Sequence, residues 1–129
     1  GAYVMLDQEL WREVPGRADD TQGWAGFLMA ARADADVSEI QTHVGLGLVR
    51  TGLFDCCAAD ACGVCLNWVG LSDEAGFSAE DELDVELFFK HQLCGWCSVK
   101  PDLQFISHPG GDAAADDAWV AAVRLEFGI

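Results

Sequence analysis

The chain has 129 residues, 51% of them hydrophobic, and a formal net charge of −15. That length makes one domain, 1-129, or a piece of one. The acidity argues against nucleic acid, which a polyanion repels, and against docking on anionic lipid through a basic patch. No apolar run approaches the roughly 20 residues of a helical membrane span, and no basic region leads into an apolar stretch as a signal peptide requires. The chain opens on "GAYVML" without an initiator Met, so a mature or fragmentary product is expected.

Alternation with a period of two runs through the chain, and side chains on a strand alternate between faces. "AYVMLDQELWRE" sets Ala2, Val4, Leu6 and Leu10 against Tyr3, Met5, Asp7, Glu9 and Trp11. "VPGRADDTQ" is a turn-rich break. "GWAGFLMAARA" is a second strand, apolar on both sides, whose orientation stays open. After the acidic "ADADVS", "EIQTHVGLGLVRTGLF" sets Ile40, Thr42, Val44, Leu46 and Leu48 against Gln41, His43, Gly45 and Gly47. "DCCAADA" interrupts, and "CGVCLNWVGL" sets Cys62, Val64, Leu66 and Trp68 against Gly63, Cys65 and Asn67. A second acidic loop, "SDEAGFSAED", precedes "ELDVELFFKHQL". There Leu83, Val85, Leu87, Phe89 and Leu93 oppose Glu82, Asp84, Glu86, Phe88, Lys90 and Gln92. Two last runs flank "HPGGDAAADD". In the first, Val99, Pro101, Leu103 and Phe105 oppose Ser98, Lys100, Asp102 and Gln104. In the second, Trp119, Ala121, Val123, Leu125, Phe127 and Ile129 oppose Ala118, Val120, Ala122, Arg124 and Glu126.

The expected fold is all-β: an antiparallel meander of about seven long strands, near the 9–11 residues that a tilted membrane strand needs. A helix fits worse, because the charges of "ELDVELFF" fall at alternate positions rather than at spacings of three and four. One face is apolar; the other carries Asp, Glu, Lys, Arg, Gln and small residues, as a watery lumen requires. A soluble antiparallel sandwich alternates in the same way, so the pattern by itself leaves both architectures open.

Four stretches carry a resemblance: "GAYVMLDQELWRE", "VGLGLVRTGLF" at Val44–Phe54, "KPDLQFISHPGG" and "AWVAAVRLEF". The most specific is "PDLQFISHPGG", Pro101 to Gly111. Over most of its length the chain resembles the C-terminal part of carbohydrate-selective porins of the OprB type. The resemblance implies a transmembrane β-barrel of the bacterial outer membrane that passes carbohydrates or other small solutes by diffusion, without catalysis and without a cofactor. Family members are longer, so these strands would be part of a barrel. Membrane lipid would lie against the apolar face, and further copies or a missing N-terminal half would complete the ring. On this reading the pore-lining candidates are Asp7, Glu9, Trp11, His43, Asn67, Asp84, Glu86, Lys90, Lys100, Asp102, Gln104, Arg124 and Glu126. Charged and amide groups can bond sugar hydroxyls and set a charge preference. Lys90, Lys100, Asp102, Arg124 and Glu126 are also placed for a cross-strand charge ladder.

Six cysteines are many for this length, and their pairing cannot be fixed from sequence. Cys62-Gly-Val-Cys65 and Cys94-Gly-Trp-Cys97 are both C-x-x-C, expected at one rim of the sheet with Cys56 and Cys57 nearby. If each pair lies on a tight turn, the four could hold zinc, or disulfides could staple the chain, and it would be a small soluble binding module instead; otherwise the cysteines are structural disulfides or small hydrophobes of the wall. If "CGVC" is regular strand, Cys62 faces outward, Cys65 faces the lumen, and the two cannot bond each other. No Ser–His–Asp order, phosphate loop or HExxH is present, and His91 falls on the apolar side.

Overall fold

The computed structural model describes residues 1–14, 21–54 and 57–128; Cys56 and Ile129, assigned above to a rim and to the apolar face, lie outside the described residues. Seven strands are present: β1 (Ala2–Arg12), β2 (Gly23–Arg32), β3 (Ile40–Thr51), β4 (Ala61–Leu71), β5 (Asp81–Cys94), β6 (Cys97–Ser107) and β7 (Ala118–Phe127). They form one antiparallel sheet in the order β1-β2-β3-β4-β5-β6-β7. The alternating residues form strands because each strand then segregates its side chains by polarity, and the glycine- and acid-rich stretches fall between strands.

The two rims differ. At one, β5 turns into β6 through only Gly95 and Trp96. At the same rim Asp60, which is 2% exposed, anchors the entry into β4. Its carboxylate accepts from the Gln92 backbone N–H at 3.0 Å and meets His91 Nδ1 at 2.7 Å. Those two bonds hold the Asp60 carboxyl below the usual carboxylate range. At the opposite rim, the 108–117 loop folds onto the 72–80 loop. The backbone N–H groups of Ser78 and Ala79 both donate to the Gly111 carbonyl, at 3.1 and 3.0 Å. Gly111 has φ +70°, and a Cβ there would lie 2.5 Å from the Phe77 ring, so only glycine fits. Beside it, the Asp112 carboxyl is lowered by the Ala114 N–H and the Ser78 hydroxyl, both of which donate to it.

A single sheet has no second layer to pack against. Among the described residues the buried apolar side chains are only Ala79 and Cys97, while Tyr3 is 78% and Val123 70% exposed. The order of residues along each face is therefore the main structural fact.

Candidate functional site: the polar face of the sheet

Register partners share a face, so each face can be read across the sheet row by row. One row runs Leu6, Leu28, Leu46, Leu66, Val85, Phe105, Trp119, one residue from each strand and all apolar. The row on the reverse side runs Asp7, Phe27, Gly47, Cys65, Glu86, Gln104, Val120. Strand β2, unoriented by sequence, presents Trp24, Gly26, Leu28 and Ala30 to the apolar face and Ala25, Phe27 and Met29 to the polar one.

Twelve of the thirteen candidates share the polar face: Asp7, Glu9, His43, Asn67, Asp84, Glu86, Lys90, Lys100, Asp102, Gln104, Arg124 and Glu126. Trp11 does not. The register shifts between Glu9 and Trp11, so Trp11 pairs with Trp24 on the apolar side. A bulge adds one residue and reverses the alternation beyond it. Arg50, opposite Trp24, lies over the Trp11 ring at 5.2 Å, and Arg12 returns to the polar side to pair with Glu9. A second shift between Ile40 and Thr42 likewise takes Ile40 out of the apolar set.

Part of the expected charge ladder is built. Lys90 Nζ meets Glu126 Oε2 at 2.6 Å across β6, and the Ser98 hydroxyl also donates to that carboxylate at 3.3 Å. Lys100 Nζ pairs with Glu86 at 3.4 Å and lies 4.1 Å from the centre of the Phe88 ring. Asp102 and Arg124 do not join. Asp102 is 7% exposed, its Oδ2 without a hydrogen-bond partner among the described residues, and Arg124 is exposed. Asn67 Nδ2 donates to the Cys65 sulfur at 3.4 Å.

Two aromatic rings on this face were not singled out from sequence. Phe27 lies over Gly47, and Phe88 lies over Gly63. A Cβ at either glycine would come within 2.2 Å and 2.5 Å of the ring carbons. No local signal marks either pair in the sequence, because each glycine meets its ring only through the register with the adjoining strand.

The tight turn that the zinc reading needs at "CGVC" is not formed. "CGVC" is regular β4, where Cys62 pairs with Phe89 on the apolar side and Cys65 with Glu86 on the polar side. Cys94 and Cys97 sit on the hairpin turn beyond. Among the described residues no three His, Cys, Asp or Glu side chains are grouped to hold a metal.

The family profile of the carbohydrate-selective porin, OprB family, matches residues 1–128. Porin B of Pseudomonas aeruginosa is 24% identical over 147 aligned positions, which cover 98% of this chain and 32% of that protein. The structure of Pseudomonas putida OprB at high pH superposes with a TM-score of 0.87 at 23% identity, covering 97% of this chain and 34% of that one. The chain thus spans about a third of the length of the relatives it matches. Its seven-stranded meander has the fold of a porin-barrel segment, and the chain belongs to the carbohydrate-selective porin OprB family.

Proposed function

We propose that these 129 residues form about a third of the wall of an outer-membrane channel through which carbohydrates diffuse. The observation that carries this reading is the paired rows. Among the described residues an unbroken apolar row crosses all seven strands on one face, most of the charged and amide side chains gather on the other, and no second layer packs on either. Lipid on the apolar side satisfies the first face and water on the other satisfies the second. The twelve polar-face candidates then line the water path, while Trp11, near the turn rim beside Trp24, meets the membrane interface, where amphipathic rings are favoured.

A passage of this kind selects by width and wall chemistry and makes no bonds. Lys100 and Arg124 are opposed on β6 and β7 and supply donors to hydroxyl groups, and Glu86 and Gln104 supply acceptors close by. The strands that close the barrel come from the rest of the polypeptide or from further copies, because a strand edge left in lipid costs several kcal/mol for each unsatisfied backbone group. Residues 1–129 act as one continuous segment of that wall.

The test is liposome swelling with the detergent-extracted membrane protein that carries this segment. The reading expects entry of neutral sugars at rates that fall with sugar size, and a changed rate for Arg124→Ala. Liposomes that remain impermeable to every sugar, with the protein inserted, would contradict it.

A further inference from the structure

We propose that Cys94 and Cys97 are a thiol–disulfide exchange site, a dithiol in the β5–β6 turn that a disulfide compound oxidises to a cross-hairpin bond and a thiol reduces again. The two are register partners, their pairing resuming after a register shift between Gln92 and Cys94, with only Gly95 and Trp96 between them. Residues directly opposed on antiparallel strands have Cα atoms about 4.5–5.5 Å apart. A disulfide needs about 4.4–6.8 Å. Both are free thiols in this structure. The other C-x-x-C cannot do this, since Cys62 and Cys65 face opposite sides of a regular strand.

The turn is held in shape by groups other than the sulfurs. The Gln92 side-chain amide donates to the carbonyls of Cys94, at 2.5 Å, and Cys97, at 3.2 Å. The Gly128 N–H donates to the Trp96 carbonyl at 2.9 Å, and the Trp96 ring stacks on Phe127 with centroids 6.1 Å apart. The thiols are therefore presented in register before any bond forms, and the turn keeps its geometry when the bond is broken. Gly95 adds an open approach, because nothing lies within 4 Å of where its Cβ would be.

Exposure divides the roles: Cys94 is exposed and Cys97 buried. The Cys94 thiolate attacks a sulfur of the incoming disulfide, whose S–S bond breaks and releases one thiolate. The Cys97 thiolate then attacks the Cys94 sulfur of this mixed disulfide, forming the Cys94–Cys97 bond and releasing the second thiolate. Two electrons pass from the cysteines to the disulfide compound, and their two protons end on the released thiols or in solvent. The ring so closed spans only four residues, so it removes little chain entropy from the unfolded state. Exposed disulfides are the labile ones, and an exchangeable bond is the consequence.

The wild-type membrane protein, equilibrated in buffers of graded reduced and oxidised glutathione, is acid-quenched, alkylated under denaturing conditions and digested for mass spectrometry. At oxidising ratios the peptide holding both cysteines is expected to lack two alkyl groups and to be lighter by two hydrogens, while Cys62 and Cys65 stay alkylated. Dithiothreitol added to the folded protein is expected to restore both alkyl groups, and in Cys94→Ser the Cys97 thiol stays alkylatable throughout. Complete alkylation of Cys94 and Cys97 at every ratio would overturn the proposal. So would a bond from Cys94 to another cysteine, or a Cys94–Cys97 bond that dithiothreitol leaves intact in the folded protein.

Discussion

Strands β1 and β7 differ from β4 in burial and agree with it in pattern. β1 is exposed from Ala2 to Trp11 and β7 from Trp119 to Leu125, whereas β4 is exposed only at Val64. The cause is pairing: β4 has a hydrogen-bonded strand on each side, and β1 and β7 on one side only. Yet the apolar row from Leu6 to Trp119 crosses all seven strands without a break. Natural sheet edges are short, charged or interrupted by proline to prevent further pairing. β7, "AWVAAVRLEF", is 10 residues long and apolar on alternate positions. The outermost strands are thus built like strands from the middle of a wall, and the constant across the sheet is which face a residue takes.

The largest effect should test the apolar face where it is most exposed. Val123 sits on β7 with 70% of its surface open. Val123→Arg should destabilise the membrane-inserted protein by roughly 2–4 kcal/mol if it lies near the bilayer midplane. Val120→Arg, on the polar side of the same strand, should change stability by about 0.5 kcal/mol or less. Denaturant titration in lipid vesicles distinguishes them, and equal effects would mean that the edge is not part of a lipid-facing wall.

In the centre, Gly63→Ala is next. The new methyl group would sit 2.5 Å from the Phe88 ring and 2.9 Å from the Leu48 carbonyl oxygen. Overpacking of this kind costs about 1–3 kcal/mol. Gly95→Ala, with open space around it, serves as the control in the same titration. A smaller effect is expected from Lys90→Met, which removes the ion pair to Glu126. Ion pairs open to solvent contribute little to stability. Added salt should weaken the wild type toward the variant, and a difference that salt leaves unchanged would assign the effect to packing.

The smallest effect is local and depends on pH. The Asp60 carboxyl is lowered by the Gln92 N–H and by His91. Its folded form therefore holds the proton less tightly than its unfolded form, so the stability it contributes is present above the ordinary carboxylate range. That stability is lost as pH falls through the lowered value. The protection of the Gly52 and Gln92 amides against hydrogen exchange, relative to the intrinsic rate at each pH, should fall on acidification in the wild type. In Asp60→Asn the protection should show no such step, and an identical step in both would remove Asp60 from the account.

Much of this was legible in the sequence. Alternation in β1, β3 and β5–β7 oriented those strands, and the runs in "ELDVELFF" and "KPDLQF" put charge and apolar bulk on opposite faces without ambiguity. β2 stayed unreadable because "GWAGFLMAAR" has small or apolar residues on both sides, and only pairing with β1 and β3 orients it. Trp11 was misplaced because a bulge is one extra residue, invisible to a period of two. The Asp60–His91 tie and the rings over Gly47 and Gly63 join residues far apart in sequence, so they follow from register rather than from any local motif.

If one face of this sheet meets water and the other lipid, two native thiols on one strand report it directly. Cys62 and Cys65 are three residues apart on β4, on the apolar and polar faces respectively. The membrane-embedded protein is exposed to a small, charged, membrane-impermeant thiol reagent, and each cysteine is scored by mass spectrometry. The account predicts that Cys65 is modified and that Cys62 is spared until detergent strips the lipid. Modification of Cys62 with Cys65 protected would contradict it.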